Sequence, residues 1–287
     1  MSRNVMREKD RSQPKQKKPF SWAQFLSSLV GIGLVITILA PLLPQLLWSV
    51  GFKWFFPDLL PRELSMRAWK YVFSDVSRAT EALWQGTLIA LVAMVLSMII
   101  SVPAGRALGL YKFRGKRLIE FLILAPTIVP VLAVVMGIHI AFIRYGLAST
   151  VLGVVLVHLI PTTPYVVMVM SSVFANYEPE YEEQARTLGA NSIRTFIHVT
   201  FPAILPGLMV GGLFAFIISW GQYILTLLIG GGTVVTLPLL LFSFASSGDN
   251  MVTGALSVLY MAPAIVFLVL TSRFLTGKSG VMGGFGA

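Results

Sequence analysis

Apolar and polar positions in this chain come in blocks, not in alternation. Long apolar stretches with at most one charge each cover residues 25–50, 86–110, 119–142, 150–174, 203–229 and 252–275, and each is at least as long as the roughly 20 apolar residues a helix needs to cross a bilayer. The pattern predicts an all-α membrane protein of six transmembrane helices. Prolines punctuate the blocks: Pro41 and Pro44 near the far end of the first, Pro103 in the second, Pro126 and Pro130 in the third, Pro161 and Pro164 in the fourth. Neighbouring helices or water have to satisfy the carbonyls that these prolines free.

The connections differ in character. Residues 51–85 mix Phe52, Trp54, Phe55, Phe56, Trp69, Tyr71 and Phe73 with charges, which suits a segment lying at headgroup level. Residues 230–250 begin glycine-rich and turn apolar at 237–244, with Pro238 as a breaker, as expected of a re-entrant or interfacial helix. Residues 176–202 are polar. Gly105 and Gly109 fall near the end of the second block, and Gly207, Gly211 and Gly212 at the start of the fifth suit close helix packing.

Composition agrees. Of 287 residues 56% are apolar and 12% charged, with a mean hydropathy of +0.80, against roughly 45–50% apolar and about 25% charged in soluble domains. The net charge of +10 is not a nucleic-acid signal, because the basic residues cluster at the ends of apolar blocks. Sixteen of the 22 Lys and Arg fall on the side of the N-terminus, seven in the first 18 residues and five between Arg106 and Arg117. The positive-inside rule then places both termini in the cytoplasm. Residues 1–23 read as a cytoplasmic basic tail, 24–275 as the membrane domain with 176–202 as a cytoplasmic loop, and 276–287 as a cytoplasmic C-terminal tail.

Chemistry is sparse. With no cysteine there is no thiolate metal site or cysteine nucleophile. His139, His158 and His198 are scattered, so no metal site is expected, and the first two read as packing or interfacial residues. No nucleophile elbow occurs. The nearest approach to a phosphate loop, 272–279, has Ser272 where a glycine belongs and follows a membrane helix, so the chain is not expected to be an enzyme or to bind a cofactor. In the fifth block Ser219, Trp220, Gln222, Tyr223 and Thr226 are polar groups that either line a translocation path or bond to a neighbouring helix.

Residues 176–202 carry the specific signal. Pro179 suits a helix start, Glu180, Glu182 and Glu183 lie in the first turns where the helix dipole favours carboxylates, and Gly189 can take the left-handed conformation that ends a helix. Asn191 or Ser192 can cap a second short helix that runs to Pro202. Glu183, Ala185, Gly189 and Pro202 fall in the register Glu-Ala-Ala, three residues, Gly, nine residues, Ile-x-Leu-Pro, with Gln184, Val199 and Phe201 departing from it. In this the chain resembles the permease subunits of binding-protein-dependent ABC importers, type I and MetI-like, over about residues 80–275. Softer patterns (Leu188-Gly189-Ala190, Ser219-Trp220, Thr236-Leu237-Pro238) are similar to the polyamine, thiamine, ferric-ion and sulfate branch.

The resemblance implies a multi-pass subunit of the bacterial inner membrane that forms half of a translocation pathway. It implies ATPase contacts at Glu182, Glu183, Ala185, Arg186, Leu188, Gly189 and Pro202. Implied partners are two cytosolic ATPase subunits that bind ATP and Mg, a second permease (a heterodimer in preference to a homodimer), and an extracytoplasmic binding protein. The cargo is a small solute such as a polyamine, thiamine, ferric ion or an oxyanion. A secondary transporter driven by an ion gradient is the alternative, and it would call for inverted repeats and intramembrane ionisable groups.

Overall fold

A computed structural model describes residues 22–276, apart from Phe56. Of the expected tails at 1–23 and 276–287, residues 1–21 and 277–287 lie outside the described residues, and the rest are helical. The described chain is mostly helical, with one two-stranded ribbon.

The described residues up to Pro44 and those from Gln45 onward form two compact units. In the first, α1 (Trp22–Leu39) is apolar with every described side chain exposed, and the helix is interrupted at Ala40–Pro41; α2 (Leu42–Val50) begins in the first unit and ends in the second. In the second, β1 (Gly51–Phe52) pairs antiparallel with β2 (Glu63–Leu64), and the short α3 (Arg67–Val72) follows. The 51–85 segment is thus a small structured cap, with Ala68 and Val72 fully buried.

The long α4 (Ala79–Leu110) is built to be approached closely. Besides Ile89 and Leu108, its buried face reads Ala79, Ala82, Gly86, Ala90, Ala93, Ser97, Ser101, Gly105, a run of small residues spaced by three or four, which on a helix is a single stripe. Against it lies α7 (Val151–Ala175). A methyl added at Gly105 would sit 2.4 Å from the Met170 Cβ, and one at Gly109 would sit 2.6 Å from the Phe174 Cβ. In lipid, where apolar surface gains nothing by leaving one hydrocarbon for another, such contact is the main source of helix association. Helix α10 (Phe201–Trp220) packs by the same device, with Gly207 on Val173, Gly211 on Val166 and Gly212 on Met98.

The third apolar block does not form one straight helix. α5 (Lys116–Ile128) and α6 (Val131–Arg144) meet at 97°. Pro126 stays inside α5, and the chain breaks at Pro130, whose ring drives Val129 out of the helical region to φ −74°, ψ 138°. The fifth block is interrupted too: α10 ends at Trp220, three residues intervene, and α11 (Ile224–Gly230) resumes. Beyond a glycine turn, α12 (Leu237–Ser247) is the short apolar helix expected at 237–244, and α13 (Asn250–Thr276) closes the fold. A ring ladder joins α10 to α13: Phe216 stacks on Phe267 at 4.5 Å and Trp220 on Tyr260 at 5.5 Å.

Among the described residues four helical runs are long and apolar enough to cross a membrane: Ala79–Leu110, Val151–Ala175, Ser192–Trp220 and Asn250–Ser272. The number rises to six if each bent pair, in 26–50 and in 116–144, crosses as one span. No residue of α5 is buried, and large apolar side chains such as Leu118, Phe121 and Ile128 stand exposed. In water such a surface would drive association; in a bilayer it suits lipid or another membrane helix.

Candidate coupling site

Helix α7 ends at Ala175, and Pro179 starts α8 (Glu180–Thr187) by holding its own backbone at φ −62°. Of the eight residues of α8 Glu182 alone is buried, at 5% exposure. A carboxylate out of water has to be paired and hydrogen-bonded, and this one is so on every side. Arg106 near the end of α4 donates both terminal nitrogens, Nη1 to Oε1 and Nη2 to Oε2, each at 2.8 Å. Thr200 donates its hydroxyl to Oε1 at 2.8 Å and Tyr177 donates its own at 3.0 Å. The Arg106 guanidinium also lies 5.8 Å from the centre of the Phe174 ring. One side chain therefore fastens α8 to α4, to the α7–α8 link and to the chain entering α10.

The hydrogen bonds from Arg106 hold the Glu182 carboxyl down at about 2, against the opposing pull of burial, with Thr200 and Tyr177 adding to the lowering. Burial pushes the Tyr177 hydroxyl up. Glu182 is ionised at any physiological pH.

The far end of α8 turns sharply. Gly189 adopts φ +88°, its N–H bonds to the Arg186 carbonyl at 2.9 Å, and Ala190 N–H reaches back to the Ala185 carbonyl at 3.0 Å. This is the left-handed cap that glycine takes without a Cβ penalty. Asn191 then caps α9 (Ser192–Thr195), its Oδ1 accepting the Arg194 N–H at 2.9 Å. The second short helix does not stop at Pro202: a π-turn at Phe196–Thr200 carries it directly into α10, making one helical run from Ser192 to Trp220. Pro202 has no N–H to give the carbonyl four residues back, and the wider turn just ahead of it lets the helix pass.

The result is a protruding elbow with Leu188 at its tip, 89% exposed, and Tyr181, Ile193 and Ile197 exposed beside it. Between the arms lies an open hollow of about 340 Å³, lined by Ala185, Gly189, Arg194, Thr195, His198 and Val199 among others. Glu183, Arg186 and Gly189 face outward, Ala185 is half-buried, and Pro202 is exposed at the start of α10. The structure thus gathers Glu182 through Gly189 on one elbow. It adds Arg106, Tyr177 and Thr200, which sequence reasoning missed; Arg106 was visible only as a charge inside an apolar block.

The polar residues of the fifth block take two positions. Ser219 and Thr226 are buried and bond to His158 of α7, Ser219 Oγ at 2.8 Å from Nδ1 and Thr226 Oγ1 at 3.0 Å from Nε2, so His158 bridges the break between α10 and α11. Trp220 donates its indole N–H to the Tyr260 carbonyl at 3.1 Å. Gln222 and Tyr223 sit half-buried in the break itself, with the Tyr223 ring 4.5 Å from that of Phe242. Among the described residues no three His, Asp or Glu side chains gather as a metal site.

Residues 101–276 match the family of binding-protein-dependent transport system inner membrane components. The chain belongs to that family. Among its relatives, the putrescine transport system permease protein PotI of Escherichia coli K12 is 29% identical over 61% of this chain and 64% of its own length. The sulfate transport system permease protein CysT of Salmonella typhimurium is 27% identical over 75% of this chain and 85% of its own. In fold, the chain is similar to a bacterial ABC transporter involved in the import of the acidic polysaccharide alginate, with a TM-score of 0.69 over 90% of this chain and 99% of that one, at 20% identity. This is an ABC importer permease: a multi-pass transport subunit and not an enzyme.

Proposed function

We propose that this permease forms half of a translocation pathway across the bacterial inner membrane and that its 176–202 elbow is the part that docks on a cytosolic ATPase. One observation carries the reading. A short helix whose apolar tip, Leu188, is almost wholly exposed is held from beneath by a buried carboxylate paired with the half-buried Arg106, so that exposure and rigidity coincide. A rigid apolar projection with a hollow beside it suits insertion into a cleft of a partner protein. On this reading both bent helix pairs cross the bilayer, giving six spans with both termini cytoplasmic. Two ATPase subunits supply ATP and Mg, a second permease completes the pathway, and an extracytoplasmic binding protein delivers cargo.

ATP binding closes the ATPase pair and displaces the elbows, and hydrolysis resets them; this chain does no chemistry. The path runs past the α10–α11 break, where Gln222 and Tyr223 are the half-buried groups, while Ser219, Trp220 and Thr226 support it from behind. The cargo is a small solute. The relatives' names range from a diamine to an oxyanion, so the cargo class is assigned to the binding protein's recognition and not to this chain.

The test is co-purification of the complex from membranes. Gly189→Asp and Glu183→Arg are expected to leave the permease inserted while the ATPase no longer elutes with it. An ATPase retained in full by both variants would sink the docking assignment.

A further inference from the structure

The Glu182 carboxylate does more than its burial requires. A loop helix could be left polar all round and solvated, yet α8 commits its single buried side chain to hydrogen-bond partners on α4, on the α7–α8 link and at the mouth of α10, with Arg186 of α8 itself only at the edge of ion-pair range, 4.0 Å away. The strongest of them, the two-pronged bond from Arg106, joins residues 76 positions apart. Arg106 lies on α4 between Gly105 and Gly109, the two positions where that helix is in tightest contact with α7. A force applied to α8 therefore reaches, through one guanidinium, the place where the membrane helices are least able to slide independently. The 97° α5–α6 turn and the α10–α11 break, by contrast, are held by no such charged tie among the described residues.

We propose that Arg106 and Glu182 are positioning residues for transport: their ion pair makes the docking elbow and the end of α4 one rigid body, so that displacement of the elbow by the ATPase is carried directly into the α4–α7 pair. This deepens the permease reading above and rests on it. A bidentate guanidinium–carboxylate pair suits the task because it fixes direction as well as distance, and because Arg stays charged throughout.

The chain has no cysteine, so it takes a label only where a cysteine is engineered, and it is labelled before assembly with its partners. Spin labels are placed at Ala107→Cys on α4 and Glu180→Cys on α8, both exposed positions, in the complex purified with its ATPase. Their separation is read by electron paramagnetic resonance without nucleotide and after trapping with Mg-ATP and vanadate. In the otherwise unaltered chain the separation is expected to change by less than about 2 Å, the scale of a helix adjustment. With Glu182→Gln or Arg106→Gln it is expected to broaden and to shift on trapping, and the exchange Arg106→Glu with Glu182→Arg is expected to restore it.

A shift of more than about 5 Å in the unaltered chain, the size of a one-turn slip, overturns the proposal. So does a Glu182→Gln complex whose labels stay as fixed as in the unaltered chain. Loss of ATPase binding in both single variants that the charge exchange does not recover assigns the pair to folding of the elbow alone and overturns it as well. Absence of the ATPase from the unaltered complex, seen before any substitution is made, is instead the failure of the permease reading.

Discussion

Gly105→Ala is the sharpest test of how the membrane helices are held. The added Cβ would lie 2.4 Å from Met170 Cβ, 2.8 Å from the Met170 carbonyl carbon and 2.9 Å from Ser171 N. Two of these are backbone atoms and the third is a Cβ, so no flexible side-chain end can swing aside. Carbon atoms rest about 3.5–4.0 Å apart, and α4 and α7 would have to part locally by about 1 Å; a gap of that size forfeits a quarter to a half of each dispersion contact along the seam. The overpacking cost is about 1–3 kcal/mol. Gly137→Ala in α6 is the matched control, since nothing lies within 4 Å of its added methyl and relief of glycine's helix penalty would stabilise by up to about 1 kcal/mol. The assay is unfolding of the detergent-purified chain followed by tryptophan fluorescence. Gly105→Ala should be clearly destabilised and Gly137→Ala unchanged or improved. The double variant Gly105→Ala/Gly109→Ala should cost less than the sum, because once the helices have parted the second methyl finds room. A Gly105→Ala protein as stable as the control would refute the claim that α4 and α7 are joined by backbone-to-backbone approach.

Three further outcomes are expected. Gly189→Ala has open space around it but a φ of +88°, so its cost of about 1–2 kcal/mol is backbone strain alone; proteolysis at the elbow should rise while the unfolding temperature of the membrane helices stays put. His158→Leu strands the buried Ser219 hydroxyl and takes from Thr226, which still donates to the Gln222 carbonyl, its second bond; it should destabilise by about 2 kcal/mol, more than Ser219→Ala, which strands one ring nitrogen and keeps the bond to Thr226, and thermal unfolding in detergent checks it. Glu182 is held at about 2 in the folded chain against an ordinary 4.5, so its stabilisation of the elbow is complete above about pH 5 and is lost as pH falls toward 2, about 3 kcal/mol in all. The mobility of a spin label at exposed Thr187 should rise through that window in the unaltered chain and stay flat in Glu182→Gln.

Much of the fold was legible because lipid imposes one rule: a run of about 20 apolar residues has few alternatives to a helix. The blocks around α4, α7 and α13 match their helices within a few residues, apart from the start of α4, which reaches back to Ala79. Prolines were legible as breakers in principle but not in effect. Pro103, Pro126, Pro161, Pro164, Pro206 and Pro263 all lie inside helices, whereas Pro130 alone sits at a 97° turn. What differs is whether packing elsewhere holds the helix together across the missing bond: α7 is buried along its length, while α5 has no buried residue to hold it in line with α6. Local sequence does not carry that information. Gly189 was legible because a helix end beside a glycine is a local event.

The Glu182–Arg106 pair marks where local reading stops. Glu182 and Glu183 are adjacent carboxylates in the first turns of one short helix and are equivalent to any argument from dipoles or capping. The motif register picks out Glu183, which faces outward, free to meet a partner. Glu182, about 100° around the same helix, turns inward to Arg106. That choice is made by tertiary contact, because Arg106 reaches α8 only once Gly105 and Gly109 have brought α4 against α7 and set the height of its last turns. The small-residue stripe and the ion pair are therefore one device in two parts: the glycines decide where the guanidinium arrives, and the guanidinium decides which face of α8 is left for a partner. Widening the α4–α7 seam should accordingly loosen the elbow as well as the membrane helices, so Gly105→Ala should raise the mobility of a label at Thr187 even though the two positions share no contact. If the seam loosens and that label does not respond, the two parts are independent.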